Sequence, residues 1–411
     1  MRIGIDITSA VTQSAGIGRY TRELVRALLA LDAPHRYMLL YATEKRIEKP
    51  IDPLPPGARL RRLPFHDKWL ARVWHRFQLP IPVELATGRL DLFHSPDFTL
   101  PPALPGTRTL LTVHDLSFIR DPGSAVPSLR RFLDRAVRRS VARADRVLAD
   151  SQATKDDLVE LFGVPTGKID VLLSGVDTRF KPIRDPALLA AVRARYDLGD
   201  GPIVLSLGTI QPRKNYTRLI QAFGRGVGRG RQTGPSAASS PSSSLRSESG
   251  SGLWLRAGSG AMGDVSLVIA GGKGWMFDDI FAEVARLGLE GRVKFTGFVD
   301  DADLPALYSA ATIFAYVSLY EGFGLPALEA MACGTPVIGS NASSIPEVVG
   351  DAGLLVDPTD VDAIAAGLIG LLADPSARDA YMRDGLRRAA QFTWDAAARQ
   401  LLSIYGEMAA R

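Results

Sequence analysis

A chain of 411 residues is too long for one ordinary core, so two domains are expected; 46% apolar and 23% charged residues exclude both a disordered and a membrane-filling composition. The formal charge of +5 is uneven: residues 1–180 hold 27 lysines and arginines against 20 acids, and residues 181–411 hold 22 against 24, so the excess positive charge lies in the first half. The single cysteine, Cys333, excludes intrachain disulfides and cysteine-built metal sites, and no run reaches the roughly 18–20 apolar residues of a membrane-spanning helix.

The opening MRIGIDIT reads as a strand over residues 3–7, not as a charged then apolar secretory leader, so a cytoplasmic protein is expected, with any membrane contact peripheral. Next comes SAVTQSAGIGRYTREL, leading into a helix over residues 20–31 that gathers Leu24, Ala27, Leu28 and Leu31 on one face. Gly16, Gly18 and Thr21 imitate a dinucleotide fingerprint. The glycines stand too far from the strand and the third is missing, which argues against an NAD-dependent dehydrogenase. A Gly-x-Gly loop before a helix can still meet a phosphate or an acceptor, or be a plain turn.

Strands are expected over residues 37–41, 59–63, 91–94, 109–113, 146–149 and 169–173, with helices over 128–143 and 154–161, the alternation of an α/β domain with a parallel sheet. Ligands gather at the carboxyl ends of such strands, where His94 and His114 both stand. His94 reads as structural. His114, beside Asp115 in TVHDLSF, reads as functional, because a neighbouring carboxylate tunes an imidazole. Residues 59–77, RLRRLPFHDKWLARVWHRF, interleave arginines with Trp69, Trp74 and Phe77. This suits an anionic membrane surface, or else a solvated helix face with a few buried rings; no nucleic-acid-binding module accompanies the charge.

The turn-rich stretch 174–186 marks the passage between an N-terminal unit, 1–180, and a C-terminal one, 181–391. The second unit restarts the alternation, with strands over 202–207, 265–270, 292–295, 313–317 and 354–356 and helices over 216–223, 278–287 and 303–310. Residues 224–263, centred on SAASSPSSSLRSESGSG, read as a disordered surface insertion without chemistry. Arg213 and Lys214 follow the first strand of this unit, where a fixed guanidinium and an ammonium can neutralise a diphosphate. The pairs Asp301/Asp303 and Asp360/Asp362 precede helical periodicity and are expected to cap helices, leaving a site without a metal.

The second unit is organised around residues 321–329, EGFGLPALE. Pro326 suits the first position of a helix, placing Glu321 in a loop and Glu329 in the first turn. The backbone N–H groups of Phe323, Gly324 and Leu325 would then leave a helix N-terminus, a natural seat for phosphate, and Gly322 and Gly324 would let the chain approach a ligand. Glu321 and Glu329 could accept hydrogen bonds from sugar hydroxyls; Glu329 also suits a plain dipole partner or a solvated acid.

Taken together, AGIGRY, VHDLSF, GTIQPRKN, VIAGGKGW, VKFTGFV, EGFGLPALEAMACGTPVI and SSIPEVVGDAGLLVDP closely resemble the retaining glycosyltransferases of family 4, over nearly the whole chain apart from residues 224–263. The resemblance implies the GT-B fold, two Rossmann-like doubly wound domains facing across a cleft, with the nucleotide-sugar donor on the second and the acceptor on the first. It implies that Glu321 holds donor-sugar hydroxyls and Glu329 the ribose, that Gly322, Phe323 and Gly324 meet sugar or phosphate, and that Arg213 and Lys214 bind the diphosphate. Gly16 and Gly18 would border the cleft, His114 would approach the transferring sugar, Gly297, Phe298 and Val299 would meet the nucleobase, and residues 392–411 would pack back on the first domain. Many relatives carry Arg where this chain has Thr209, so the cationic duty falls on Arg213 and Lys214. GTIQPRKN looks most like mannosyltransferases that use GDP-mannose; a saccharide or lipid-linked acceptor, and no cofactor beyond the donor, are expected. A sensor that binds the donor without turnover is the competing expectation. Replacing Glu321 or Lys214 by Ala is expected to slow transfer and leave the fold intact.

Overall fold

The computed structural model describes residues 1–13, 16–44, 47, 51–66, 69–70, 72–124, 126–226 and 264–410. The alternation read from the sequence resolves into two all-parallel sheets among these residues. The first contains β1 (Arg2–Asp6), β2 (Arg36–Ala42), β3 (Ala58–Leu63), β4 (Leu92–Ser95), β5 (Arg108–Val113), β6 (Arg146–Ala149) and β7 (Ile169–Val171) in the order β3-β2-β1-β4-β5-β6-β7. The second contains β8 (Ile203–Leu207), β9 (Ser266–Ala270), β10 (Val293–Gly297), β11 (Ile313–Tyr316), β12 (Val337–Ser340) and β13 (Leu354–Val356) in the order β10-β9-β8-β11-β12-β13. Their central strands are apolar on both faces, as strands covered by helices on either side must be: Ile203, Val204 and Leu205 in β8 and Ile313, Phe314 and Ala315 in β11 are wholly buried.

Each sheet reverses its winding once, between β1 and β4 in the first and between β8 and β11 in the second. Such a reversal leaves a crevice at the carboxyl ends of the strands. The loop holding Arg213 and Lys214 follows β8 and the loop holding Glu321 follows β11, so both open onto the same switch point.

The expected helix over 20–31 begins four residues earlier, as Gly16–Ala30, so Gly16 and Gly18 lie in its first turn rather than in a loop. A Cβ on Gly18 would stand 2.0 Å from the Gln13 carbonyl oxygen, so this glycine lets the helix close against the preceding Thr8–Thr12 helix. The expected helix over 216–223 runs to Gly226; the rest of the expected insertion, 227–263, lies outside the described residues. The last helix, Trp394–Ala409, returns to the first sheet, where Leu401, Ile404 and Tyr405 join Ile3, Ile5 and Leu24 in one core. His94 ties it down, with Nδ1 2.8 Å from the Tyr405 hydroxyl and Nε2 3.1 Å from that of Thr112, the structural role expected of it.

Asp360 caps as expected, accepting from the Asp362 and Ala363 amides at 2.9 Å. Asp303 does not: it stands at the N-cap of Leu304–Ala310 with no side-chain cap bond and instead accepts from the Tyr196 hydroxyl at 2.7 Å and pairs with Arg195. Asp301 pairs with Arg19 and Arg179, and Asp362 with Arg225. The Tyr196 hydroxyl and nearby arginines, not backbone amides, hold the Asp303 and Asp301 carboxylates, while Asp362 lies in the first turn of the Val361–Ala373 helix as expected.

Candidate active site

Glu321 is 6% exposed and held from both sides. Its Oε2 accepts from Arg213 Nη1 at 2.8 Å and its Oε1 from Lys214 Nζ at 2.6 Å, while Lys214 Nζ also donates to the Tyr316 hydroxyl at 3.1 Å. The two loops are fixed together from behind. Asn215, in the left-handed region at φ 60°, donates through Nδ2 to the Val317 and Pro358 carbonyls at 2.9 and 2.6 Å, and Leu319 N donates to the Arg213 carbonyl at 2.9 Å. Burial works to raise the Glu321 pKa, yet Arg213 and Lys214 hold it down at about 2. Burial lowers the Lys214 pKa from its ordinary value, against the pull of Glu321. The cluster is two cations hydrogen-bonded to one carboxylate, with the Asp115 carboxylate of the first half near enough to act on both cations.

Beyond Glu321 the chain turns through Gly322 and Gly324 into the Leu325–Ala332 helix. Gly324 has φ 112°, and a Cβ there would stand 2.8 Å from Ile345 Cδ1. A Cβ on Gly322 would stand 2.1 Å from the His114 carbonyl oxygen, so the halves meet backbone to backbone at this residue. Phe323 turns inward, edge-on to Phe392 at 6.0 Å, which leaves its backbone as the part near the crevice. Leu325 is half-buried and opens the helix. Glu329 lies one turn deeper than expected, 1% exposed: Oε2 accepts from the Tyr308 hydroxyl at 2.9 Å and Oε1 from Arg19 Nη1, whose Nη2 donates to Asp301 Oδ1 at 2.9 Å. Burial raises the Glu329 pKa against the pull of Arg19.

Of the residues expected around the nucleobase, Gly297 ends β10 at φ 70°, Val299 is buried in the core and Phe298 is 63% exposed. Only Phe298 presents a side chain to solvent. Gly16 is exposed at the start of its helix and Gly18 is buried behind it, so of the two only Gly16 has open space around it.

His114 is buried at the end of β5, between the rings of Tyr20 and Phe98. Its Nδ1 stands 2.7 Å from Asp150 Oδ2 and its Nε2 3.2 Å from the Pro96 carbonyl oxygen, so the ring is engaged at both nitrogens and its backbone, not its side chain, faces Gly322. Burial opposes the imidazolium, but Asp150 outweighs it and raises the His114 pKa to about 9. His94, buried without a carboxylate, goes the other way, to about 3. A raised folded-state pKa contributes stability that is complete below about 6.5 and lost as pH rises through about 9; a lowered histidine pKa contributes stability lost as pH falls below about 6.5. Denaturant titration from pH 6.5 to 9.5 is therefore expected to show a loss on the order of 2–3 kcal/mol. Asp150→Asn should flatten this alkaline limb, and an unchanged slope in the variant would remove the pair as its cause.

Contacts that the sequence did not single out join the halves around this site. Tyr320 donates its hydroxyl to Asp157 Oδ2, Trp275 Nε1 donates to the Ser124 carbonyl at 2.5 Å, and the Glu347 carboxylate accepts from the Gln152 and Ala153 amides at 2.7 Å each. Arg19 had a signal, a cation directly after Gly-x-Gly at the start of a helix. Asp150 and Glu347 had none, because their partners are 36 and 195 residues away in sequence.

Residues 14–180 match the family model described as Glycosyltransferase Family 4, and residues 259–388 the one described as Glycosyl transferases group 1. The chain is 32% identical over 404 residues to the O-antigen chain mannosyltransferase B of Escherichia coli, covering 95% of each chain. It is 34% identical over 250 residues to the GDP-mannose-dependent alpha-(1-6)-phosphatidylinositol monomannoside mannosyltransferase of Mycolicibacterium smegmatis, covering 58% of this chain and 56% of that one. Its fold is similar to the solved sucrose-phosphate synthase of Thermosynechococcus elongatus, with a TM-score of 0.71 at 23% identity over 100% of this chain and 99% of that one. The two sheets, each with one switch point, are the GT-B arrangement, and the chain belongs to the family 4, group 1 glycosyltransferases.

Proposed function

We propose that this glycosyltransferase moves a mannosyl group from GDP-mannose to a hydroxyl of a saccharide or lipid-linked acceptor, keeping the anomeric configuration and using no bound metal. The observation that carries the reading is the buried cluster of Arg213, Lys214 and Glu321 at the second switch point. As the sugar departs with an oxocarbenium-like charge, negative charge grows on the leaving diphosphate. Arg213 and Lys214, fixed before the reaction, stabilise it in a poorly solvated site, together with the N-terminus of the Leu325–Ala332 helix. That is the duty a divalent cation performs in other transferases. In this reading Glu321 orients the cations and holds sugar hydroxyls, Glu329 holds the ribose, the residues from Gly297 to Val299 border the base, and the first half, with Gly16 at its rim and the buried Gly18 and His114 supporting it from within, receives the acceptor. The names of the two relatives above support mannose, and the one from Mycolicibacterium supports GDP.

The test is incubation of purified protein with a panel of nucleotide sugars and candidate acceptors, reading nucleoside diphosphate release and product mass. GDP release from GDP-mannose, with a product one hexose heavier and of α configuration, is the expected result. Binding without turnover across the panel would reduce the protein to a sensor.

The reading extends to an anionic membrane surface as the place where the acceptor is met. Phe65, Trp69, Phe77, Leu79 and Ile81 are each more than 40% exposed beside the arginines of the edge strand β3 and the Arg72–Arg76 turn, and Phe65 stacks on Trp69 at 5.2 Å. Exposed rings among cations suit an anionic lipid interface. Val73 and Trp74 are buried instead, so only part of the stretch faces outward, and Asp67, Lys68 and Ala71 lie outside the described residues. No helix among the described residues is long and apolar enough to cross a membrane. Co-flotation with anionic but not neutral vesicles is expected, and Trp69→Ser with Phe77→Ser should weaken it severalfold; equal binding to both vesicle types would sink the idea.

A further inference from the structure

We propose that Arg19 gates the nucleoside end of the donor site, holding the carboxylate oxygen that a ribose hydroxyl takes when the donor binds. This rests on the reading of Glu329 as the ribose-binding residue. Arg19 belongs to the Gly16–Ala30 helix of the first half and reaches across to Glu329 and Asp301 of the second. The two oxygens of Glu329 are not equivalent. Oε2 is held by the hydroxyl of Tyr308, which is wholly buried in the core and cannot withdraw. Oε1 is held by Arg19, whose side chain retains 12% exposure and is anchored through its two terminal nitrogens.

A ribose hydroxyl would also donate to Oε1, and with Arg19 in place the Glu329 side chain is only 2% exposed, so Arg19 covers the one approach a ribose hydroxyl could take to that oxygen. The ribose therefore sits down only as Arg19 leaves. A second observation is that this arrangement leaves a donor unused: Arg19 Nε is buried and makes no hydrogen bond. An orphaned buried N–H is unfavourable, and an entering ligand rich in oxygens would satisfy it. Because the contact joins the halves, donor entry releases one of the ties between them.

The test measures, by calorimetry, the affinity of wild-type and Arg19→Ala protein for GDP and for 2′,3′-dideoxy-GDP. If Arg19 holds Oε1 about nine-tenths of the time, its removal unmasks the seat and tightens GDP by roughly tenfold. The dideoxy analogue, which brings no ribose hydroxyl, should gain much less. Should Arg19→Ala fold poorly, Asp301→Asn, which frees one of the two anchors and keeps the guanidinium, is expected to tighten GDP by a smaller factor in the same direction. GDP binding unchanged or weakened in both variants, with wild type still preferring GDP to the analogue, overturns the gate alone. Equal wild-type affinity for the two nucleotides removes the ribose from Glu329 and overturns both the reading and the gate.

Discussion

Glu321→Gln is expected to lower the transfer rate by about 10³-fold, the effect of disordering a preorganised charge site. It should also lower stability by about 3 kcal/mol, the cost of leaving buried charge uncompensated. The second effect departs from the expectation that replacing Glu321 or Lys214 leaves the fold untouched. The buried cluster changes that expectation, because the one carboxylate offsets both cations: without it, Arg213 and Lys214 face each other in a site where their side chains are 15% and 10% exposed. Glutamine keeps the shape and one acceptor, so the loss reports charge and not packing. Steady-state kinetics with the donor and denaturant unfolding measure the two effects separately. A variant within tenfold of wild type would show that Glu321 neither orients the cations nor meets the sugar.

Gly322→Ala should lower kcat by about 10²-fold without weakening GDP binding, the pattern of a catalytic geometry displaced by about 1 Å. A methyl group 2.1 Å from the His114 carbonyl oxygen cannot be accommodated without parting the halves, and both atoms at the clash belong to backbone-anchored positions rather than to a flexible side chain. The nucleotide contacts proposed above lie in the second half, so they move together with residue 322. Binding that falls in step with kcat would place the clash inside the nucleotide site itself and contradict this division of labour.

The alternation of apolar runs and amphipathic stretches made both sheets legible, because burial on two faces forces β-branched and aromatic residues into short uninterrupted segments, as in Ile313–Tyr316. The cluster of Glu321, Arg213 and Lys214 was legible for the same topological reason, since loops after β8 and β11 must converge at the switch point. The start of the Gly16–Ala30 helix was missed because glycine reads locally as a turn, whereas Gly18 serves here to let the helix pack against the Gln13 carbonyl. The orientation of the His114 ring was missed as well. Asp115 adjoins it in sequence, but Asp150, 36 residues on, holds its Nδ1. Capping by Asp303 failed because Tyr196 and Arg195, more than a hundred residues earlier, took its carboxylate.

The Gln152–Phe162 helix carries one more consequence. Its Ser151 side chain serves the Thr154 amide, while the amides of Gln152 and Ala153 are served by a carboxylate of the opposite half, Glu347, held in place as Arg388 grips the Glu347 and Val348 carbonyls. Two protons of that first turn are thus shielded only while the halves touch. Deuterium uptake at Gln152 and Ala153 would act as a built-in clock for the breathing of the enzyme, ticking faster whenever the cleft gapes, with no dye or label attached.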